Sequence, residues 1–277
     1  MDQQYLKQKA AWLRRVLFDM LSSAEQGHPG SVMSLVDVLV ALFYGGVMRF
    51  EVNNPNVNWR DRIVISKGHA TMGLYPIYAD LGYFDRKELD SFCTPDGILK
   101  SFGNTSISGI DATTGSLGHG PGIGVGYALA AKYDGLDSRV FVVISEGEMY
   151  EGSIWESALM AAHHNLDNLV IILDRNRKII LGDTEELLRL EPISEKWKAF
   201  GFHTVMTNGH RFSELLQAFS NIGKTNSQPL LVIANTVKGK GIPLMEGQGN
   251  WHYWQNINKQ TKDEIRHHLI ANENNPQ

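Results

Sequence analysis

The chain has 277 residues, 43% of them hydrophobic and 20% charged, an ordinary globular composition with length enough for one large α/β domain. Its 26 basic and 30 acidic residues leave a net charge of -4, and no basic run is longer than about a pair, which speaks against a nucleic-acid-binding protein. Cys93 is the single cysteine, so an internal disulfide and a thiolate metal cluster are excluded, and a reducing compartment fits.

At the start, Leu6, Ala10, Leu13, Leu17, Met20 and Leu21 recur at helical steps between lysines and arginines, which predicts an amphipathic helix over 3–24 rather than a signal peptide. No stretch approaches the ~18–20 unbroken apolar residues of a membrane span, and a cytoplasmic protein is expected. Gln26-Gly27-His28-Pro29-Gly30 reads as a firm turn that can bring backbone close to a ligand. Taken alone, His28 reads more readily as a polar loop residue than as a functional one. Ser31 is expected to cap the next helix, which runs through Leu35, Val38, Leu39, Leu42 and Phe43.

A polar loop over 53–61 leads into a short apolar strand, Arg62–Ser66, with Lys67-Gly68-His69-Ala70 directly beyond it. A helix through Tyr75 and Leu81 ends near Gly82, and 83–110 reads as irregular apart from a helical turn at 87–92. Six glycines lie in the run 113–126, leading into a small-residue helix over Tyr127–Lys132. Their free N–H groups at a helix start suit an anion or a cofactor ring. Gly118-His119-Gly120-Pro121-Gly122 looks like a dinucleotide fingerprint, but no strand clearly precedes it and Pro121 interrupts it.

The stretch Val140–Glu151 carries the strongest local signal. An apolar, β-branched run stops at Ser145-Glu146-Gly147, and a second stops at Asp174-Arg175-Asn176, 30 positions after Glu146. Between them, Trp155, Ala158, Leu159, Ala162 and Leu166 form a helical stripe expected to be core. Strand, helix and strand make a right-handed βαβ crossover, with both stops at the carboxyl ends of neighbouring strands, where ligands bind. The Glu146 carboxylate and the Asn176 amide oxygen would then face each other across a small gap beside Gly147. Such a gap is a seat for a hard divalent cation that holds a phosphate.

Beyond it, Gly182-Asp183 opens an acidic helix, and strands are expected near 203–206 and 229–235 around a helix at 212–219. Thr236-Val237-Lys238-Gly239-Lys240-Gly241 follows the last strand. Trp251, His252, Tyr253 and Trp254 make an aromatic loop that reads as a plug, an interface or a ligand wall. A polar helix near 259–270 comes last. The alternation implies one doubly wound, mostly parallel α/β sheet of five or six strands with helices on both faces, a single domain over 1–277 with a flexible end at about 271–277.

Six of these pieces, in order, resemble the N-terminal, diphosphate-binding part of transketolase. They are Gly27-His28-Pro29-Gly30, Asp61 through His69, Thr114-Gly115-Ser116-Leu117-Gly118, the span from Glu146 to Asn176, Lys238-Gly239-Lys240-Gly241, and Trp251-His252. The resemblance covers nearly the whole chain. It implies thiamine diphosphate with Mg²⁺ or Ca²⁺ as cofactors. By the same match, Glu146, Asn176 and the carbonyl of Lys178 would ligate the cation, and Gly147 and Glu148 would belong to the cofactor site. His69 and His252 would contact the diphosphate side, and Gly115, Ser116 and Leu117 the aminopyrimidine. The catalytic set would be His28, His69 and His252, and Glu151 would lie at a subunit interface.

The chain departs from the family pattern at Ser145 and Glu146, where Gly-Asp is expected, at His119, where glutamine is usual, and at Tyr253 and Trp254, where small residues are common. A full transketolase is more than twice as long. The resemblance therefore implies a split enzyme, in which a separate subunit supplies the pyrimidine-binding domain and its glutamate, closing as an α2β2 assembly. A degenerate structural or regulatory subunit is the competing reading, motivated by Ser145-Glu146-Gly147. A nicotinamide enzyme would need a clean glycine fingerprint and an acidic ribose partner, and neither is present.

Overall fold

The computed structural model describes residues 2–276. Helices α1 (Gln3–Ala24), α2 (Pro29–Met33) and α3 (Val36–Phe43) precede strand β1 (Arg62–Ile65). Then come α4 (Leu74–Leu81), α5 (Gly120–Tyr133), β2 (Val140–Ser145), α6 (Gly152–His163) and β3 (Leu169–Arg175). The remainder is α7 (Thr184–Leu187), α8 (Ile193–Ala199), β4 (His203–Asn208), α9 (Phe212–Phe219), β5 (Leu230–Asn235) and α10 (Lys259–Asn274).

The five strands form one parallel sheet in the order β1-β2-β3-β5-β4. Strand side chains alternate between faces, and both faces are buried. Phe141, Val143, Val170, Ile172 and Val232 pack with the helical residues Leu17, Val38, Leu39, Tyr78 and Leu215 on one face. Val142, Ile144, Ile171, Leu173 and Ile233 pack with Val125, Ala158 and Trp197 on the other. Each large apolar side chain buried in this way contributes about 1.5–3 kcal/mol. The continuous β-branched runs that announced β2 and β3 are therefore those of strands covered on both sides. No helix among the described residues is long and apolar enough to cross a membrane.

Several elements differ from the sequence expectation. Ser31 lies inside α2 and does not cap it; Pro29 opens that helix, and His28 stands at the N-cap without a side-chain bond. The expected single helix is split at Ser34 and Leu35 into α2 and α3. Helix α5 starts at Gly120, seven residues before the expected Tyr127. Its glycines are contact points: a Cβ on Gly124 would lie 2.4 Å from Val142 Cγ2, and one on Gly120 would lie 2.2 Å from Ser66 Cβ. On α6 the buried residues are Ile154, Ala158 and Ala161, while Leu159 is 59% exposed, so the expected core stripe is rotated. Helix α10 continues to Asn274, into the expected flexible end, of which Gln277 lies outside the described residues.

Candidate active site at the carboxyl ends of the strands

All the strands run in one direction, so their carboxyl ends share a rim, and most of the chemistry-bearing residues sit there. Asp174, at the end of β3, is fully buried and ties the rim together. Its carboxylate accepts from Lys67 Nζ beyond β1, from Ser34 Oγ at 2.6 Å, from Asn176 Nδ2 at 3.1 Å and from Thr236 Oγ1 beyond β5. Burial works to raise its pKa, but the charge and hydrogen bond of Lys67, with Ser34 and Thr236, outweigh burial and hold it below the usual carboxylate range. Sequence reasoning gave Asp174 and Lys67 no role. A charged residue closing an unbroken apolar strand is the signal that could have found them.

Above this tie, three histidines from three distant loops come together. The ring centroids of His28 and His69 are 5.0 Å apart, those of His69 and His252 5.2 Å, and those of His28 and His252 5.4 Å. Tyr253 covers His28 at 4.9 Å, and Phe102 stands edge-on to it at 6.0 Å. Gly30 makes this convergence possible, since a Cβ there would lie 2.7 Å from the Trp251 carbonyl and 3.0 Å from Lys238 Cε. Lys238, buried beside them, places Nζ 3.3 Å from His252 Nδ1 and forms no ion pair among the described residues.

The electrostatics follow from burial beside these two lysines. Burial first, and then Lys238, lowers His28 to about 4. His252 falls to about 3 through burial, Lys238, His28 and Lys67. His69 is likewise held well below its ordinary value, by burial and then Lys67. Burial and the charge of Lys67 bring Lys238 down to about 8, against the opposing pull of Asp174. At neutral pH the cluster is thus a set of neutral imidazoles over a buried cation. His28 Nδ1 is buried with no hydrogen-bond partner. An orphaned ring nitrogen beside an unpaired ammonium suits a polar anion, and a diphosphate fits that description.

The glycine-rich loop lies along the same rim. Gly115 and Ser116 are exposed, and the Leu117 carbonyl lies 3.2 Å from His119 Nδ1. Glu148, expected in the cofactor site, lies beneath this loop. It is fully buried, accepts from Ser66 Oγ, Ser145 N at 2.8 Å and Gly118 N at 3.1 Å, and so ties β1, the glycine loop and β2 together. Burial raises its pKa above the usual carboxylate range, and those donors offset this only in part. Glu151, at the start of α6, is exposed.

Each side chain expected to ligate the cation has another partner in the free chain. Glu146 is 1% exposed, and its carboxylate is turned onto the Arg175 guanidinium, with Thr184 Oγ1 at 3.2 Å and Arg177 N also donating to it. Asn176 Oδ1 accepts from Lys178 N at 3.0 Å, and the Lys178 ammonium pairs with Asp183 at 2.8 Å. Carboxylate, amide oxygen and main-chain carbonyl are the donor types of a hard cation. In the free chain both Glu146 oxygens are engaged, Oε1 by Arg175 and Thr184 and Oε2 by Arg177 N. Among the described residues no cluster of three or more His, Cys, Asp or Glu side chains is placed to hold a metal.

Comparison with known proteins agrees with this architecture. Residues 6–274 match the family model described as "Transketolase, thiamine diphosphate binding domain". An apulose-4-phosphate transketolase subunit of Phocaeicola vulgatus is 38% identical over 253 residues, covering 91% of this chain and 90% of the relative. The 6-deoxy-6-sulfo-D-fructose transketolase subunit SqwG of a Clostridium species is 37% identical, covering 88% of each. Among solved structures, transketolase from Campylobacter jejuni superposes with a TM-score of 0.87 at 28% identity, covering 99% of this chain and 48% of that one. The chain therefore spans about half the length of the full transketolase structures it matches and nearly all of the separate subunits. On its fold, the ends of its strands and these matches, this chain belongs to the transketolase family, as a thiamine diphosphate binding domain.

Proposed function

We propose that this chain is the diphosphate-binding subunit of a split transketolase. With a separate pyrimidine-binding subunit, in an α2β2 assembly, it moves a two-carbon ketol unit from a ketose phosphate donor to an aldehyde acceptor. The observation that carries the reading is the convergence of His28, His69 and His252 over Lys238, with the Nδ1 of His28 left unpartnered. Two relatives of similar length, named as transketolase subunits, support the split. A cytoplasmic home accords with the unpaired Cys93.

The chemistry supplied by bound thiamine diphosphate is a thiazolium electron sink for the pair released as the ketose C–C bond breaks. The chain's own residues bind, orient and move protons. Lys238, the N–H of Gly147, His69 and His252 would hold the diphosphate. Asn176 Oδ1, the Lys178 carbonyl and Glu146 would hold Mg²⁺ or Ca²⁺. Gly115, Ser116 and the Leu117 carbonyl line the aminopyrimidine. His28 and His252 each present an uncharged imidazole, donor on one nitrogen and acceptor on the other, to the sugar hydroxyls. An anion bound beside them draws their pKa values back toward neutrality, where proton transfer is most effective. Glu151 meets the partner subunit, which supplies the glutamate for the aminopyrimidine.

A second reading, a subunit that has lost the cofactor and serves its partner structurally, draws on the Glu146–Arg175 pair alone. Calorimetry on the reconstituted pair with thiamine diphosphate and Mg²⁺ separates the two. Saturable binding is expected, with ketol transfer reduced about 10²–10⁴-fold in His28→Ala. No binding at any concentration of Mg²⁺ or Ca²⁺ would leave the structural reading standing.

A further inference from the structure

We propose that Arg175 is a resident cation that competes with the divalent ion for Glu146, and so sets how tightly this site holds that ion and the diphosphate behind it. The inference rests on the function proposed above.

Its basis is the way β3 ends. Alternation along the strand turns Asp174 toward Lys67 and Ser34 on one face and Arg175 toward Thr184, Glu185 and Glu191 on the other. Arg175 is 2% exposed, and its guanidinium is held on the carboxylate that the family match assigns to the cation. Its innermost partner is the buried Glu146. Two further carboxylates hold it from outside, Glu185 at 3.0 Å and Glu191 at 3.0 Å, with side chains 30% and 48% exposed. Thr184 Oγ1 adds a bond at 3.1 Å.

Two properties follow. A divalent ion ligated by Glu146 would be a second cation against a buried guanidinium, so the ion must displace Arg175 from that carboxylate. Glu185 and Glu191 make the exchange feasible, because the guanidinium keeps two partners after Glu146 leaves. The length of Glu146 serves the same end, since a glutamate reaches one methylene further than an aspartate. The site therefore loads its ion by swapping one cation for another on a single carboxylate. Its demand for free Mg²⁺ is set by the outer carboxylates as much as by the ligands.

The test titrates Mg²⁺ at fixed thiamine diphosphate on the reconstituted pair and reads cofactor binding by calorimetry and tryptophan fluorescence. Arg175→Gln removes the competitor, and the half-saturating Mg²⁺ concentration is expected to fall about tenfold. Glu191→Gln, at an exposed position, throws Arg175 back onto Glu146, and the same concentration is expected to rise severalfold. Shifts of opposite sign distinguish competition from general damage. In a Glu146→Gln background both shifts are expected to vanish, since the contested carboxylate is gone. Should Arg175→Gln fold poorly, Arg175→Lys, which keeps the charge with a shorter fork, is expected to shift in the same direction by less.

No shift in either arginine variant, a rise in Arg175→Gln, or shifts that persist with Glu146→Gln would overturn the competition while leaving the cofactor reading intact. A wild-type pair that binds no thiamine diphosphate at any Mg²⁺ concentration would overturn both.

Discussion

Lys238 is 1% exposed, its ammonium has His252 as its one hydrogen-bond neighbour among the described residues, and burial beside Lys67 brings it down to about 8. A lysine depressed in the folded state contributes stability that is present above its unfolded value and lost as pH falls through its folded one. Below about pH 8 the fold thus carries an unneutralised buried charge, which on the proposed reading a bound diphosphate would relieve. Affinity for thiamine diphosphate is expected to be higher at about pH 7 than at about pH 9, and in Lys238→Met that difference should shrink, as read by calorimetry. Of the three histidines only His69 could be put on the rim from chain order, since it follows a strand end. His28 and His252 entered the candidate site through the resemblance to transketolase, because a glycine turn and an aromatic loop alone left their roles open. The ties beneath them were not legible. Asp174, Arg175 and Glu148 take their meaning from partners just beyond other strands, Lys67, Glu146 and Ser66, and no local spacing announces which carboxylate will be paired and which left free.

Helices α2, α3 and α5 show where tertiary packing overrules local preference. Glycine lowers helix propensity by about 1 kcal/mol relative to alanine, so a run of alternate glycines reads as a loop. Here the bare backbone of Gly120 and Gly124 lets α5 lie against Ser66 and Val142, and that contact is absent from any window of sequence. Gly124→Ala is expected to destabilise the chain by about 1–3 kcal/mol through overpacking. Gly126→Ala, whose added methyl would meet nothing within 4 Å, is expected to stabilise the chain on its own by about 0.5–1 kcal/mol. Denaturant unfolding of the two variants should separate them in sign. The break between α2 and α3 has a similar origin, with Ser34 turned to donate to Asp174.

At the scale of the molecule, the surface of α6 stands out. Leu159 and Met160 are 59% and 46% exposed on the helix that begins beside Glu151. On the split-enzyme reading these side chains belong under a partner. Leu159→Glu is expected to leave the melting temperature of the free chain within about 1–2 °C, since exposed substitutions stay within about 0.5 kcal/mol. Association of the two chains should weaken about tenfold or more, as measured by sedimentation. That the sheet is parallel and covered on both faces could be read from the unbroken runs at 140–145 and 169–173. Its strand order could not, because right-handed crossovers fix the hand of each connection and leave open which edge the next strand joins.

That order has a consequence for how the chain is made. Strand β4 is synthesised before β5, yet its only neighbour in the sheet is β5, which also covers the free edge of β3. Until the ribosome has added Leu230 to Asn235, neither β3 nor β4 can pair with the one strand that joins them. Thr236, which completes the Asp174 tie, arrives later still. A nascent chain of this protein therefore has its longest exposure to misassociation late in translation, and the segment that ends that exposure is the one that brings Lys238 to the rim.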